Sequence, residues 1–167
     1  MAGLESLLIE EVRHRIVSAF PEQVRVALAS LTDAEVWARP NEKSNSVGNL
    51  VVHLCGSSRH FLGRLVGGSD YLRDRDGEFA RRDPLARAAL LRLLEETVDE
   101  HARVLSALRP ENLLEVKEGA RKPFTVTELL LRVSHHWAVH TGQIVFHAKG
   151  LHPEAFDELW MKTMEKR

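Results

Sequence analysis

Apolar residues recur at every third or fourth position along most of the chain, which is the spacing of one face of an α-helix. Four of these stripes are long enough to be the helices of a bundle. Pro21 should kink or interrupt the first stripe, because proline removes a backbone hydrogen-bond donor. The predicted helices begin at Leu4, Ser46, Asp83-Pro84 and Thr125, and the last three end at Gly67-Gly68, Arg109-Pro110 and Gly150. The pattern therefore predicts an all-α fold, a four-helix bundle with extra short helices.

The segments between the long helices predict smaller elements. Residues 32–38 begin with the pattern of a capping box and should form a short helix. Residues 69–82 are polar and indicate a long surface loop. Residues 113–124 alternate apolar and polar positions around a glycine, as a small β-hairpin does. A last amphipathic segment, residues 153–165, is expected to pack across one end of the bundle.

The composition is that of an ordinary globular protein and narrows the function classes. Hydrophobic residues make up 44% of the 167 residues and charged residues 28%, which favours one domain over residues 1–167. The net charge is −1 and the two signs interleave, so no global field favours nucleic acid or anionic lipid. No stretch approaches the roughly 20 apolar residues of a membrane span, and the N-terminus lacks the pattern of a signal peptide. We therefore expect a cytoplasmic protein without nucleic-acid or membrane partners.

The chemistry that the sequence offers lies in its nine histidines. His136 and His140 fall on the inward face of the fourth helix, one turn apart, which puts their Cβ atoms roughly 5–6 Å from each other. A tight metal site needs at least a third ligand, and His53, at the edge of the second helix's apolar stripe, can supply it. Cys55 points roughly 200° away from His53 on that helix and is expected to be a buried hydrophobe. Spacing alone leaves four rival histidines open, namely His60, His101, His135 and His147.

Three segments carry a resemblance to a known family, namely NSVGNLVVHLCGSSRHFL (45–62), RDRDGEF (73–79) and HHWAVHTGQIVFHAKG (135–150). With these motifs the chain resembles the DinB-like superfamily of bacterial four-helix proteins, which includes YfiT-type proteins regarded as metal-dependent hydrolases. The superfamily's H-x-x-x-H-x-G-Q-I signature is matched from His136 to Ile144. His53 stands where the superfamily has a metal-binding histidine in its second helix. The resemblance therefore implies one divalent ion, zinc or nickel, held by His53, His136 and His140.

The resemblance also implies a metal-dependent enzyme that acts on a small molecule. The two reactions it suggests are hydrolysis and S-transfer from a low-molecular-weight thiol. The turn between His136 and His140 lacks the glutamate that serves as the base in H-E-x-x-H enzymes. This favours thiol transfer, unless the segment after the second helix supplies a base from Asp74, Asp76 or Glu78.

Three further residues are expected to bind substrate, namely Arg75, Glu78 and Gln143. Arg75 can hold an anionic substrate. An equal alternative is that it is a solvated residue of a surface loop. Gln143 can orient a metal-ligating side chain or cap a backbone group, and Trp137 is expected in the core or at a dimer interface. Because DinB-like proteins commonly pair through helices, the resemblance implies a homodimer. The alternative function is a non-catalytic, stress-associated dimeric interaction protein that binds metal.

Overall fold

A computed structural model describes residues 3–81 and 84–159. The α-helices of this described part are α1 (Leu4–Arg13), α2 (Phe20–Ser30), α3 (Asp33–Trp37), α4 (Val47–Ser58), α5 (Arg75–Ala80), α6 (Arg87–Ala107) and α7 (Val126–Leu151). Two π-helical segments prolong them, His14–Ala19 between α1 and α2 and Arg59–Val66 after α4. Short 3-10 turns cover Pro110–Leu114 and Pro153–Phe156, and a small sheet consists of β1 (Val116–Lys117) and β2 (Phe124–Thr125).

Four helical rods make the bundle, which confirms the predicted all-α fold. The rods run continuously over residues 4–30, 47–66, 87–107 and 126–151. Their inward stripes form one hydrophobic core, to which each fully buried aliphatic side chain contributes about 1.5–3 kcal/mol. Fully buried examples from all four rods are Ile16, Leu28, Leu54, Leu94, Leu130 and Ile144. Among the described residues, no helix is both long and apolar enough to cross a membrane.

Side-chain caps fix where helices begin, as the sequence predicts. At α3, the backbone N of Glu35 donates to Thr32 Oγ1 at 3.3 Å and the backbone N of Thr32 donates to Glu35 Oε2 at 2.7 Å. At α4, Ser46 Oγ accepts a hydrogen bond from the backbone N of Asn49 at 3.1 Å. Each cap of this kind contributes about 1 kcal/mol. The helix that carries His53 therefore has a fixed start.

The first rod accommodates Pro21 without breaking. The π-helical segment His14–Ala19 ends just before it, and Pro21 lies in the first turn of α2. Proline lacks an N–H and its ring clashes with the carbonyl one turn earlier; the wider π turn accommodates that carbonyl. The predicted interruption is thus a local change of helix type, and the rod continues to Ser30.

The segment predicted as a surface loop, residues 69–82, contains a helix; residue 82 itself lies outside the described part. At the start of α5, Asp74 Oδ1 accepts a hydrogen bond from the backbone N of Gly77 at 2.9 Å. Glu78, in the middle of this helix, is only 4% exposed. The loop prediction was wrong for Arg75–Ala80, because a capping carboxylate and a buried carboxylate resemble solvated residues in the sequence.

The third rod begins at Arg87, so the predicted start at Asp83-Pro84 was wrong. Pro84 precedes the helix, and Asp83 lies outside the described residues. The start is set by contacts with the chain around α3 instead of by a local cap. The backbone N of Arg87 donates to Asp33 Oδ1 at 3.0 Å, and its guanidinium donates to the carbonyl of Leu31 at 2.6 Å.

The hairpin predicted within residues 113–124 is confirmed in a shorter form. β1 and β2 pair in antiparallel fashion, with Val116 opposite Thr125 and Lys117 opposite Phe124. A 3-10 turn that the alternation did not indicate precedes them. The hairpin leads directly into α7, so the loop at its tip lies near the start of that rod.

The end of α7 differs slightly from the prediction. The helix continues through Gly150 to Leu151, with His152 as the residue after its last turn. In the segment predicted as amphipathic, Pro153–Phe156 forms a 3-10 turn. Residues 160–165 of that segment lie outside the described part.

Candidate metal centre

Three histidines from two rods meet at one place in the bundle. α4 contributes His53, which is 7% exposed, and α7 contributes His136 and His140 from successive turns. One ring nitrogen of each lies within 4.8 Å of those of the other two. The Nε2 atoms of His53 and His136 are 3.1 Å apart. The structure thus brings together the three residues that spacing and resemblance selected.

The donor set and its spacing fit a single divalent ion. Zinc–nitrogen bonds of about 2.0–2.1 Å place two ligand nitrogens of a tetrahedral site about 3.3–3.4 Å apart. The 3.1 Å between Nε2 of His53 and Nε2 of His136 is close to that spacing. Three imidazoles suit zinc, nickel, copper and ferrous iron, and three protein ligands leave a coordination position for water or substrate. Metal binding itself stays a prediction.

Hydrogen bonds on the far side of two rings determine which nitrogen faces the site. His53 Nδ1 lies 2.8 Å from Glu78 Oε2, and His140 Nδ1 lies 2.7 Å from Gln143 Oε1. Both oxygens only accept, so each of these hydrogen bonds forms with the proton on Nδ1, and in that tautomer Nε2 keeps its lone pair. Metal-ligating histidines are oriented by partners of this kind. Among the described residues, His136 has no such partner, and its Nδ1 is buried without a hydrogen bond.

Glu78 lies behind His53 and forms a mostly buried ion pair with Arg73. Arg73 donates twice to its carboxylate, from Nε to Oε1 and from Nη2 to Oε2, each at 2.7 Å. Burial raises the pKa of the Glu78 carboxyl, but the bonds and charges of Arg73 and His53 outweigh it, and the net pKa lies below its ordinary value. Gly56 of α4 provides the space, since a Cβ there would overlap the carboxylate. The group is therefore an ionised acceptor that keeps the proton of His53 on Nδ1.

Asn49 holds the helix that carries Glu78, and sequence reasoning did not identify it. It is fully buried one turn before His53 on α4. Its Nδ2 donates to the backbone carbonyl of Glu78 at 3.1 Å, and its Oδ1 accepts a bond from Arg39 at 2.6 Å. The available signal was an asparagine on the same stripe as the candidate ligand, where an unbonded amide would be costly.

Burial keeps the two imidazoles of α7 in the form that binds metal. Burial, reinforced by the nearby His140 and His53, lowers the pKa of His136 to about 3. Burial also lowers the pKa of His140, and the hydrogen bond with Gln143 opposes only part of that effect. Both rings are therefore neutral at pH 7. An ion can bind their lone pairs without first displacing a proton.

The rival histidines lie elsewhere. Within the described residues, the only group of three or more possible ligands is the triad itself. His101 is fully buried, with its ring centroid 6.0 Å from that of Trp137, which is also fully buried, as expected of a core residue. His60 and His135 line a neighbouring cavity. Cys55 is fully buried, as predicted, and burial raises its thiol pKa to about 12.

The residues expected to bind substrate lie in three different settings. Gln143 is hydrogen-bonded to His140, which is the contact it would need to orient a metal-ligating side chain. Glu78 is buried behind His53, where it orients that ring. Arg75 is exposed in the wall of the cavity, with its guanidinium carbon 5.4 Å from the ring centre of Phe79. A substrate-binding role for any of these residues stays a prediction.

Comparison with known proteins identifies a family of undefined function and a shared fold. A family model described as "Protein of unknown function (DUF1572)" matches residues 5–164. The crystal structure of a DinB-like protein, YjoA from Bacillus subtilis, superposes with a TM-score of 0.64 at 18% identity, over 85% of this chain and 92% of that one. A DinB-like protein from Bacillus cereus gives 0.64 at 14% identity, over 80% and 86%. No curated protein matches the sequence. At these identities the likeness establishes the DinB-like fold alone.

Removing the Glu78 carboxylate should destabilise the fold markedly. We expect Glu78→Ala to lower the free energy of unfolding by about 2–3 kcal/mol, because it leaves Arg73 uncompensated in a mostly buried position. Chemical denaturation with a chelator present measures this loss without a contribution from metal. Glu95→Ala is the matched control, since it breaks an exposed pair with Arg25 and should cost less than about 1 kcal/mol. Equal losses in the two variants would contradict the buried role of Glu78.

Proposed function

The chain belongs to the DUF1572 family, and we propose that it is a metal-dependent enzyme that acts on a small molecule through His53, His136 and His140. The observation that carries the proposal is the opening of this triad onto a cavity, since His53 and His136 form part of its wall. A bound zinc or nickel ion would supply Lewis acidity that favours the deprotonated form of a water or a thiol. The chain's own residues hold the ion, fix the ring tautomers and shape the cavity.

Among the reactions such a site can perform, we propose thiol S-transfer. No aspartate or glutamate belongs to the described lining of the cavity. The Glu78 carboxylate is occupied by Arg73 and His53, and Asp74 caps α5. Hydrolysis assisted by a general base requires a group that accepts a proton from water. In S-transfer the thiol proton goes to solvent, the sulfur bonds to an electrophilic carbon, and the leaving group departs with its electron pair.

The thiol would have to be a separate small molecule. Cys55 is the only cysteine of the chain. It is fully buried, and burial raises its pKa to about 12, so it is neither accessible nor ionised. A low-molecular-weight thiol that enters the cavity can both reach the site and ionise there.

Hydrolysis is the second candidate, because one residue of the cavity could serve as its base. His60 lines the cavity, and burial together with the charges of Arg73 and Arg64 lowers its pKa. It is therefore neutral at pH 7 and can accept a proton. Substitution of His60 separates the two reactions, since hydrolysis would need its imidazole and S-transfer would not.

Metal content tests the site. Protein purified without a metal-binding tag should contain about one zinc or nickel ion per chain by mass spectrometry, because three imidazoles meet at one point. The double substitution of His136 and His140 by alanine should remove it. His147→Ala, on the same helix but outside the triad, should retain the metal. Stoichiometric metal in the double variant would refute the proposed site.

Turnover tests the reaction. The metallated protein should transfer a small thiol such as cysteine to an alkylating electrophile faster than the metal-free protein does. His60→Gln should leave that rate within about twofold, as expected for a residue outside the proton path. If activity appears only with ester substrates and is lost in His60→Gln, hydrolysis replaces S-transfer as the function. Absence of turnover with either class in fully metallated protein would refute the enzyme proposal.

We also propose that the chain forms a homodimer through α7. Leu131, Val139 and Phe146 are spaced by about two turns along one face of that helix, and they are 52%, 44% and 83% exposed. Exposed apolar stripes of this kind mark interaction surfaces. A second copy could cover the stripe by a two-fold arrangement. This surface is also what the alternative function, a non-catalytic dimeric protein, would use.

The mass in solution tests the dimer. Light scattering should give twice the mass of one chain for the wild type and one chain mass for Phe146→Glu, because the substitution places a charge in an apolar contact. Glu111→Gln, far along the chain in an exposed turn, should not change the mass. A monomeric wild type at micromolar concentration would contradict the proposal.

A further inference from the structure

The cavity beside the histidine triad is large enough for a small organic molecule. Its volume is about 880 Å³, within the range of small-molecule sites. The helical rod that carries His53 forms one wall and α7 forms another. The hairpin tip contributes Gly119, Ala120 and Arg121 as a third wall.

Arginines dominate the polar lining of this cavity. Four of them belong to it, namely Arg73, Arg75, Arg121 and Arg132, and the described lining contains no carboxylate. Arg73 is neutralised by its two hydrogen bonds to Glu78. Among the described residues, no carboxylate forms an ion pair with the other three. The described lining of the cavity therefore has a surplus of positive charge that no described carboxylate balances.

Two phenylalanine rings hold one of these arginines and give the cavity an apolar side. The guanidinium carbon of Arg132 lies 4.4 Å from the ring centre of Phe61 and 5.8 Å from that of Phe124. The two rings meet edge to face with their centres 6.4 Å apart. Cation–π contacts orient Arg132 without satisfying its hydrogen-bond donors. Its N–H groups stay available for a ligand, and the rings can contact the ligand's carbon skeleton.

The three uncompensated arginines come from three separate segments of the chain. Arg75 belongs to α5, Arg121 to the hairpin tip and Arg132 to α7. Like charges placed around one cavity repel each other, and the repulsion is relieved when an anion binds between them. Guanidinium groups match the oxygens of carboxylate and phosphate in geometry as well as charge.

We propose that this cavity binds small organic anions, namely carboxylate- or phosphate-bearing molecules with an apolar body. Arg75, Arg121 and Arg132 bind the anionic group, and Phe61 and Phe124 contact the body. The inference rests on the proposed function in one respect, since it assigns a substrate class to the same site. Recognition of the anion by the arginines does not require the metal.

Binding of three matched probes to chelator-treated, metal-free protein tests the proposal. Benzoate and phenyl phosphate carry the two anionic groups, and benzamide is the neutral counterpart of benzoate. Ligand-observed NMR should give dissociation constants for at least one anion that are about fivefold or more below that of benzamide. The probe that binds more tightly shows which anionic group, carboxylate or phosphate, the arginines prefer.

Arginine variants assign the binding to this cavity. Arg121→Gln and Arg132→Gln should each weaken binding of the anion by about fivefold and leave binding of benzamide unchanged. Arg92→Gln, an exposed arginine of α6 that does not line the cavity, is the control and should bind as the wild type does. Circular dichroism verifies that the variants are folded.

Three outcomes would overturn the proposal. They are equal affinities for benzamide and both anions, an equal effect of Arg92→Gln, and absence of binding by both anions. Because the measurement uses metal-free protein, each of these leaves the metal content and turnover of the proposed function unaffected. Conversely, loss of the metal site would leave anion binding by the arginines intact.

Discussion

The hydrogen bond between His53 Nδ1 and the Glu78 carboxylate connects the fold to the site. This bond, 2.8 Å long, joins α5 to α4. It also orients the ring of His53 so that Nε2 faces His136 and His140. A carboxylate that is 4% exposed would be costly if it were unpaired. The two hydrogen bonds that Arg73 donates to it remove that cost, and Gly56 leaves the space for the carboxylate. The orientation of His53 and the packing of α5 therefore depend on the same group.

This arrangement also balances charge next to the candidate metal centre. Arg73 would by itself repel a divalent ion beside His53, but its charge is cancelled by Glu78 at 2.7 Å. The other two histidines of the triad contribute no charge of their own, because burial lowers the pKa of both His136 and His140. An ion would thus retain almost all of its positive charge. That property favours Lewis-acid chemistry and binding of an anionic ligand in the open position.

Most of the fold could be predicted from the sequence, because it depends on local signals. The rods follow from apolar periodicity, and Thr32 and Ser46 mark helix starts by chemistry confined to one turn. The start of α6 could not be predicted, since it depends on a contact between Arg87 and Asp33 that only the folded chain creates. α5 was missed for a similar reason, because Glu78 is polar and its burial depends on Arg73.

The histidine triad was predictable to unequal degrees. His136 and His140 share a face by helical geometry alone. His53 was placed mainly by resemblance, because a residue at the edge of a stripe can turn towards solvent or towards a neighbouring rod. The side chains around these rings also differ in how far they could be predicted. Gln143 lies three residues from His140 and could be inferred locally, whereas Asn49 and Glu78 act across helices and could not.

The charge of the cavity bears on which reaction the site favours. A base such as His60 becomes positive when it accepts a proton, and burial, together with the nearby Arg73 and Arg64, already lowers its pKa. Three further arginines without carboxylate partners among the described residues surround the same space and oppose that step as well. Deprotonation of a thiol changes the charge of the cavity in the opposite direction, because the negative charge appears on the substrate and the proton leaves for solvent. The electrostatics of the cavity therefore favour a reaction that creates an anion on the substrate over one that creates a cation on the protein.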